Sequence, residues 1–174
     1  MRTENRIPPR EDMDVWVPEL SEIEKQHNEI IQTLKEIGKE KIQSLMQIAA
    51  RAKNKAWAPY TLHCVGAAIL TESGACYSGF NHETATLTET VHAEHHAILQ
   101  WLMHGSRTDL PIAIAIMGPE KNTITGPCGG CRQVMLEHFE NILIILKNGS
   151  EDYSITNLKV LSPLSFNPKK IRKE

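Results

Sequence analysis

Apolar positions near the N-terminal end of the chain follow the helical period once a polar, proline-containing stretch is passed. Residues 1–20 hold three prolines and show no steady period, so we expect an arm there. The segment 21–24 has the form of a capping box, which predicts a helix start. Apolar residues then recur at helical spacing to about residue 57, and Gly38 is expected to divide this stretch into two helices.

The rest of the chain alternates apolar runs typical of strands with helical patterns. The turn residues Glu72, Ser73 and Gly74 lie between two of the strand-like runs and predict a hairpin. Strand-like runs cover 65–71, 74–80, 111–117, 141–147 and 152–156, and helical patterns cover 92–104 and the residues after 131. Because helices alternate with strands after the hairpin, the sequence predicts an α/β fold with crossover connections.

Composition and charge narrow the class of protein. At 174 residues, with 41% apolar and 23% charged residues, the chain is long enough for one domain with a full core. A formal net charge of −2 provides no overall basic field, so we expect no nucleic-acid partner. The first residues are too polar for a signal peptide, and we expect no membrane partner and a cytoplasmic location. In that reducing compartment Cys64 and Cys76 are expected to be buried thiols.

Two short motifs place metal-binding side chains at predicted helix starts. In GPCGGC, Cys128 and Cys131 open a helix, so their sulfurs lie one turn apart and can reach one ion. His92 and Glu94 open another helix after a loop, and two such helix starts converge on one crevice of an α/β sheet. One imidazole and two thiolates with a free fourth position are typical of a catalytic zinc site.

Other interpretations of these residues stay open at this point. A structural zinc site needs a fourth ligand, which His63, His95, His96 or Cys76 could supply. A thioredoxin-like redox pair would explain the two cysteines but would leave the histidine and the glutamate without a role. A helical zinc-protease motif needs a glutamate directly after its first histidine, and here the glutamate comes one position later.

Both motifs together match H-x-E and P-C-x-x-C, the signature of zinc deaminases, and further segments resemble the nucleoside cytidine deaminase family. The segments are AARAKNKAWAPYTLHCVGAAIL (49–70), Asn81-His82-Glu83, CGGCRQVMLEHF (128–139) and LSPLSFNP (161–168). The resemblance implies a three-layer α/β/α sandwich around a mixed sheet of about five strands. It runs from about Gln43 to Pro168, so residues 1–40 form an N-terminal arm and extra helix, and 41–174 form the catalytic domain.

The resemblance also implies the activity and the site. The activity is hydrolytic deamination of cytidine or deoxycytidine in pyrimidine salvage, with Zn²⁺ held by His92, Cys128 and Cys131 and with Glu94 carrying protons. The implied substrate contacts are Asn81 and Glu83 at the ribose hydroxyls, the backbone of Ala93 and Gly126 at the base, His63 near the nucleoside, and Phe166. The family further implies a homotetramer, or a homodimer, in which Phe166 is the candidate for reaching into a neighbouring subunit's site.

The sequence departs from the family pattern in ways that concern metal charge and substrate shape. Many members have cysteine at the position of His92 and arginine at that of His95; one imidazole with two thiolates makes a neutral zinc cluster that needs no cation nearby. His63 replaces a phenylalanine, and Thr84 and Gly126 replace asparagine and serine. A modified cytosine nucleoside or a blasticidin-type antibiotic is therefore an alternative substrate. A structural-zinc interaction protein is the non-enzymatic alternative.

Nucleotides and polynucleotides are less favoured as substrates. The segments that carry the site are poor in lysine and arginine, whereas phosphate contacts need cations.

Overall fold

The structure, a computed structural model, describes residues 19–119, 124, 126–139, 141–147 and 153–166. The arm expected at 1–20 therefore lies almost entirely outside the described residues. Along the chain the elements are α1 (Leu20–Ile37), α2 (Lys39–Lys53), β1 (Gly66–Thr71), β2 (Cys76–Phe80), α3 (Ala93–His104), β3 (Pro111–Met117), α4 (Gly129–His138), β4 (Leu143–Lys147), β5 (Tyr153–Asn157) and α5 (Leu158–Leu161). The predicted hairpin is confirmed as β1 and β2.

The strands form one sheet in the order β2-β1-β3-β4-β5, with helices on both faces. β3 and β4 are parallel and the other neighbouring pairs are antiparallel, so the sheet is mixed. One core cluster joins the sheet to α3, α4 and α5, and a second cluster joins the opposite face to α1 and α2. The expected three-layer α/β/α sandwich with a five-stranded mixed sheet is confirmed.

The central strands are apolar except for Thr71 and Lys147 at their ends, because both of their faces are covered. In β1, Ala67 and Ile69 belong to the cluster beneath α3 and α4, whereas Ala68 and Leu70 belong to the cluster beneath α2. β3 and β4 divide their side chains between the same two clusters. A strand that is buried on both faces has a continuous apolar sequence, which is why the apolar runs predicted the positions of these strands well.

The N-terminal helices differ from the sequence prediction at their ends. The break at Gly38 is confirmed, and the positive φ of 82° at this residue is one that glycine adopts without strain. The predicted capping box at 21–24 is wrong: α1 begins at Leu20, Glu19 is its N-cap residue, and the cap has no side-chain hydrogen bond. Ser21 lies in the first turn, where its hydroxyl donates to the Glu19 carboxylate instead.

The second helix ends earlier than its apolar pattern suggests. The pattern runs to Trp57, but α2 ends at Lys53. The backbone of Trp57 pairs elsewhere: its N–H donates to the Asn81 carbonyl at 3.0 Å, and its carbonyl accepts from the Glu83 N–H at 2.7 Å. These bonds are incompatible with continued helix. Within the described ranges, no helix combines the length and the apolar character that crossing a bilayer requires.

The expectation that Cys64 and Cys76 are buried thiols is wrong for Cys76 and only partly right for Cys64. Cys76 is exposed and Cys64 is partly exposed. Cys76 begins β2, which forms one edge of the sheet and exposes Ser78 as well. An apolar run at a sheet edge therefore does not guarantee burial.

Candidate metal centre and substrate cavity

Two helix starts bring the predicted metal ligands together. β1 pairs antiparallel with both β2 and β3, so β2 and β3 run in the same direction and end at the same edge of the sheet. His92 is the N-cap residue of α3, which follows β2, and Cys128 is the N-cap residue of α4, which follows β3. The crevice expected from two helix starts is therefore present at this edge.

A close contact between β2 and α3 fixes the position of the first helix start. A Cβ added at Gly79 would lie only 2.3 Å from the Ala97 nitrogen and 2.6 Å from the Ala93 carbonyl oxygen. No side chain fits in that space, so glycine at this position lets the N-terminal turn of α3 rest directly on the strand. The same turn carries His92 and Glu94.

The three ligand atoms have the spacing that a tetrahedral zinc ion needs. The two sulfurs of Cys128 and Cys131 lie 3.5 Å apart, and His92 Nδ1 lies 3.5 Å from the first and 3.2 Å from the second. With Zn–S near about 2.3 Å and Zn–N near about 2.0 Å, a tetrahedron separates two sulfurs by about 3.8 Å and sulfur from nitrogen by about 3.5 Å. The residues fit Zn²⁺ with shifts of a few tenths of an ångström.

The protonation state of Cys131 depends on whether a metal ion is bound. Cys131 is fully buried, and burial, followed by the charges of Glu94 and Cys128, raises the pKa of its thiol far above the ordinary value. The backbone N–H of Cys131 donates to the Cys128 sulfur at 3.4 Å, as expected at a helix N-terminus that favours thiolates. A bound Zn²⁺ would reverse the effect of burial and keep both sulfurs deprotonated.

The neighbouring histidine fits a cluster that carries no net charge. His95 stacks on His92 with ring centroids 5.4 Å apart. Burial, followed by the charge of His92, lowers the pKa of His95, so the His95 ring is neutral near neutral pH. A neutral ring beside the metal is consistent with the predicted ligand set of one imidazole and two thiolates, which needs no cation to balance it.

A cavity of about 440 Å³ opens beside these ligands. The sequence-predicted residues that line it are His63, Asn81, Glu83, His92, Ala93, Glu94, Gly126 and Cys128. Cys131 lies behind Cys128 and is buried. Glu94, only 5% exposed, stands in the first turn of α3. The structure thus gathers the proposed proton carrier, metal ligands and base contacts around one space.

The loop before α3 is closed so that its beginning and its end face the same cavity. His82 and Val91 exchange two backbone hydrogen bonds, of 2.9 and 3.0 Å. In this antiparallel pair Asn81, just before His82, lies opposite His92, just after Val91. Asn81, which begins the NxE segment, and His92, the first metal ligand, therefore lie together although they are eleven positions apart in sequence.

Phe166 stands apart from the other predicted substrate contacts. It is 64% exposed and does not line the cavity of its own chain. Its backbone carbonyl accepts from Gln133 Nε2 at 3.3 Å, which ties the segment to α4. The ring is therefore free to contact another molecule.

Sequence reasoning missed several residues that line the cavity. Thr61, Val65, Leu87, Thr90 and Ile116 all contribute to its wall. Leu87 has a positive φ of 56°, an uncommon conformation for leucine, and no residue type in its segment signals this. Thr61 could have been noticed, because it lies two positions before His63 in the segment that resembles the family.

Comparison with known proteins agrees with this site. Residues 39–145 match the family described as the cytidine and deoxycytidylate deaminase zinc-binding region. A cytidine deaminase of Sporosarcina psychrophila is 33% identical over 118 residues, which are 68% of this chain and 79% of that protein. One from Halalkalibacterium halodurans is 38% identical over 95 residues, 55% of this chain and 70% of that one. The crystal structure of cytidine deaminase from Burkholderia pseudomallei superposes with a TM-score of 0.67 at 36% identity, covering 71% of this chain and 98% of its own.

Fold and metal site together define a zinc-dependent hydrolase built on an α/β/α sandwich. The chain belongs to the cytidine and deoxycytidylate deaminase family. The predictions of this family, of an enzyme and of Zn²⁺ as its cofactor are confirmed. The interpretation as a non-enzymatic, structural-zinc protein is set aside.

Proposed function

We propose that this chain converts cytidine, and deoxycytidine, to the corresponding uracil nucleoside and ammonia by hydrolysis. The observation that carries the proposal is the group formed by His92, Cys128 and Cys131, whose ligand atoms all lie within 4.8 Å of one another beside the cavity. Glu94 lines the same cavity and is buried. Relatives named as cytidine deaminases support cytidine as the substrate.

The proposed chemistry assigns the proton transfers to Glu94. When bound, Zn²⁺ supplies a Lewis acid that lowers the pKa of water toward neutrality. Glu94 accepts a proton from the attacking water and delivers it to N3 of cytosine while the water oxygen bonds to C4. The same carboxylate then takes the proton of the new C4 hydroxyl and gives it to the amino group, so that the C4–N4 bond breaks, the C4 carbonyl forms and ammonia leaves. The backbone at Ala93 and Gly126 is proposed to hold the base during these steps.

The test of the proposed function is direct. Zinc-loaded protein is incubated with cytidine, deoxycytidine, cytidine monophosphate and a cytosine-containing single strand, while ammonia release and ultraviolet absorbance are followed. We expect turnover of the free nucleosides. Turnover of the monophosphate or of the single strand alone would contradict the proposal and point to another branch of the family.

A modified cytosine nucleoside is a second candidate substrate, favoured by the space around Gly126. A Cβ added there would meet only Leu146 Cδ1, at 3.9 Å, so a side chain could fit where none stands. His63 adds a polar ring to the same cavity. A cytosine that carries an extra group at N4 or C5 could use this room and this donor. We propose that at least one such analogue is deaminated with kcat/KM equal to or above that of cytidine.

The double variant Gly126→Ser with His63→Phe is expected to shift preference back toward cytidine. Filling the space and removing the donor should change the ratio of the two kcat/KM values by roughly 10–200-fold, the usual worth of such a pocket contact. Steady-state kinetics with cytidine and with N4- and C5-substituted analogues measures the ratio. His82→Phe, at an exposed position outside the cavity lining, is the matched control. An unchanged ratio in the double variant means that these residues do not set substrate choice.

We further propose a homotetramer in which each active site is completed by a neighbouring subunit. Support comes from the family and from large apolar side chains left exposed in this single chain. They include Trp57, Tyr60, Leu62, Leu87, Val91, Leu99, Met103 and Phe166, of which Leu62 is 78% exposed. Burying such residues between copies would remove the cost of exposing them to water.

Light scattering is expected to give four times the chain mass of 19.6 kDa. Phe166→Ala should lower kcat/KM by about 10-fold, as an aromatic contact to substrate is lost. Leu164→Ala, at an exposed position two residues earlier, is its control. A monomer that keeps full specific activity on dilution would refute the shared site, whereas a dimer would retain a shared site with a different assembly.

Two further proposals concern the organisation and location of the chain. We propose that 1–40 form an arm and an extra helix that precede the catalytic domain, which spans 41–174. The family match begins at residue 39, next to the start of α2, which supports this boundary. A cytoplasmic location and a role in pyrimidine salvage follow from a free nucleoside substrate and zinc-binding thiols that must stay reduced.

A further inference from the structure

Two side chains of the segment 81–83 form hydrogen bonds with the loop 60–65, which carries His63 at the cavity wall. Asn81 Oδ1 accepts from the Val65 N–H at 2.8 Å, and Asn81 Nδ2 donates to the His63 carbonyl at 2.8 Å. The Glu83 carboxylate accepts from the backbone N–H groups of Tyr60, at 3.0 Å, and Thr61, at 3.2 Å. The two residues proposed to bind the sugar are thus already bonded to this loop.

These bonds leave Glu83 with little freedom. Its Oε2 accepts both backbone N–H groups, and its Oε1 accepts the hydroxyl of Thr61. A carboxylate offers about four lone-pair sites, so about one remains, on Oε1. Because hydrogen bonds hold both carboxylate oxygens, the remaining lone pair of Oε1 points in one direction, and Glu83 can accept one further hydroxyl there.

Thr61 links this carboxylate to the histidine beside it. Its hydroxyl donates to Glu83 Oε1, and its oxygen also accepts the His63 N–H at 3.1 Å. Leu62, between the two, has a positive φ of 59°, which turns the chain back so that both bonds can form. A leucine holds this conformation only where its surroundings enforce it. One hydroxyl therefore contacts both the Glu83 carboxylate and the His63 backbone.

We propose that Thr61 is a positioning residue for sugar recognition: its hydroxyl aims the free lone pair of Glu83 at a nucleoside hydroxyl and holds His63 at the cavity wall. This proposal rests on the proposed function for the identity of the ligand. It assigns Thr61 a role through Glu83 rather than a direct part in the chemistry at C4.

The charge state of Glu83 supports the same role. The Thr61 hydroxyl is the largest of the causes that lower the pKa of the Glu83 carboxyl, ahead of the backbone N–H groups of Thr61 and Tyr60 and of the charge of His63. Glu83 is therefore an anion near neutral pH and acts purely as an acceptor. Loss of the hydroxyl would remove the donor that holds Oε1, so that Oε2 alone would hold the carboxylate, and would leave the His63 N–H without this acceptor.

The test compares Thr61→Val, which keeps the shape of threonine without its hydroxyl, with Thr61→Ser, which keeps the hydroxyl. Dissociation constants of uridine and of 2′,3′-dideoxyuridine are measured by calorimetry on the zinc-loaded protein, because product binding requires no turnover. We expect Thr61→Val to weaken uridine binding about 10-fold, the worth of a hydrogen bond to a charged group. Binding of the dideoxy compound should change by less than about 2-fold, and Thr61→Ser should bind both like the wild type.

Kinetics and a matched control separate positioning from general damage. For cytidine, Thr61→Val should raise KM by about 10-fold while kcat stays within about 2-fold, since Glu94 and the metal ligands are untouched. Thr33→Val removes a hydroxyl on α1 that donates to the Glu29 carbonyl, away from the cavity, and it should change neither constant. In a Glu83→Gln background, Thr61→Val should add little further loss, because the two residues act as one unit.

The outcomes distinguish this proposal from the proposed function. If the wild type binds uridine but does not deaminate cytidine, the proposed function fails, and the uridine measurements still decide the role of Thr61. Equal weakening of uridine and dideoxyuridine by Thr61→Val, or full additivity with Glu83→Gln, would overturn the positioning role. Failure of the wild type to bind either nucleoside would overturn both.

Discussion

The Glu94→Gln variant is expected to keep its zinc and lose most of its turnover of cytidine. Glutamine has nearly the shape of glutamate, but its amide cannot accept the proton of the attacking water or carry it to N3. General acid–base catalysis is typically worth about 10²–10⁴-fold, and a group that serves several proton transfers should reach the upper end of this range. Steady-state rates with cytidine measure the loss of turnover, and atomic absorption measures the zinc content.

The control for this variant is Glu89→Gln. Glu89 is exposed in the loop before α3, carries the same group and does not line the cavity. Its rates should match those of the wild type within about 2-fold, since an exposed carboxylate there contacts no reacting atom. Near wild-type turnover by Glu94→Gln with full zinc content would contradict the assignment of Glu94 as the proton carrier. Loss of zinc from this variant would indicate instead that Glu94 helps to bind the metal.

The parts of the site that the sequence predicted are those that depend on local chain geometry. Cys128 and Cys131 lie one helical turn apart wherever a helix begins at that motif, and His92 and Glu94 share one turn for the same reason. The central strands followed equally from their continuous apolar runs, because burial on both faces leaves no room for polar residues. Local spacing was enough for these elements.

The parts that the sequence did not predict depend on contacts between distant segments. Trp57 pairs with Asn81 and Glu83, and this pairing both ends the helix early and brings Thr61 to the Glu83 carboxylate. A helical pattern contains no information about a partner more than twenty positions away. The exposure of Cys76 at the sheet edge is a tertiary effect of the same kind. Such features have no signature in a single sequence.

The double variant Cys128→Ala with Cys131→Ala is expected to lose the single zinc ion that each chain binds, and all measurable turnover with it. Only one imidazole of the ligand set would remain, which cannot hold Zn²⁺ at the affinity of a three-ligand site. Metal analysis after gel filtration measures the loss.

The control and the pH dependence of the zinc site complete this prediction. The double variant Cys64→Ala with Cys76→Ala also removes two free thiols, but both lie outside the ligand group, so it should keep one zinc per chain. Because the burial that raises the pKa of Cys131 favours its thiol form, zinc must displace protons to bind. Zinc affinity of the wild type should therefore fall as the pH is lowered, and proton release on zinc binding should appear in calorimetry. Zinc retained by the Cys128 and Cys131 variant would place the metal elsewhere in the chain.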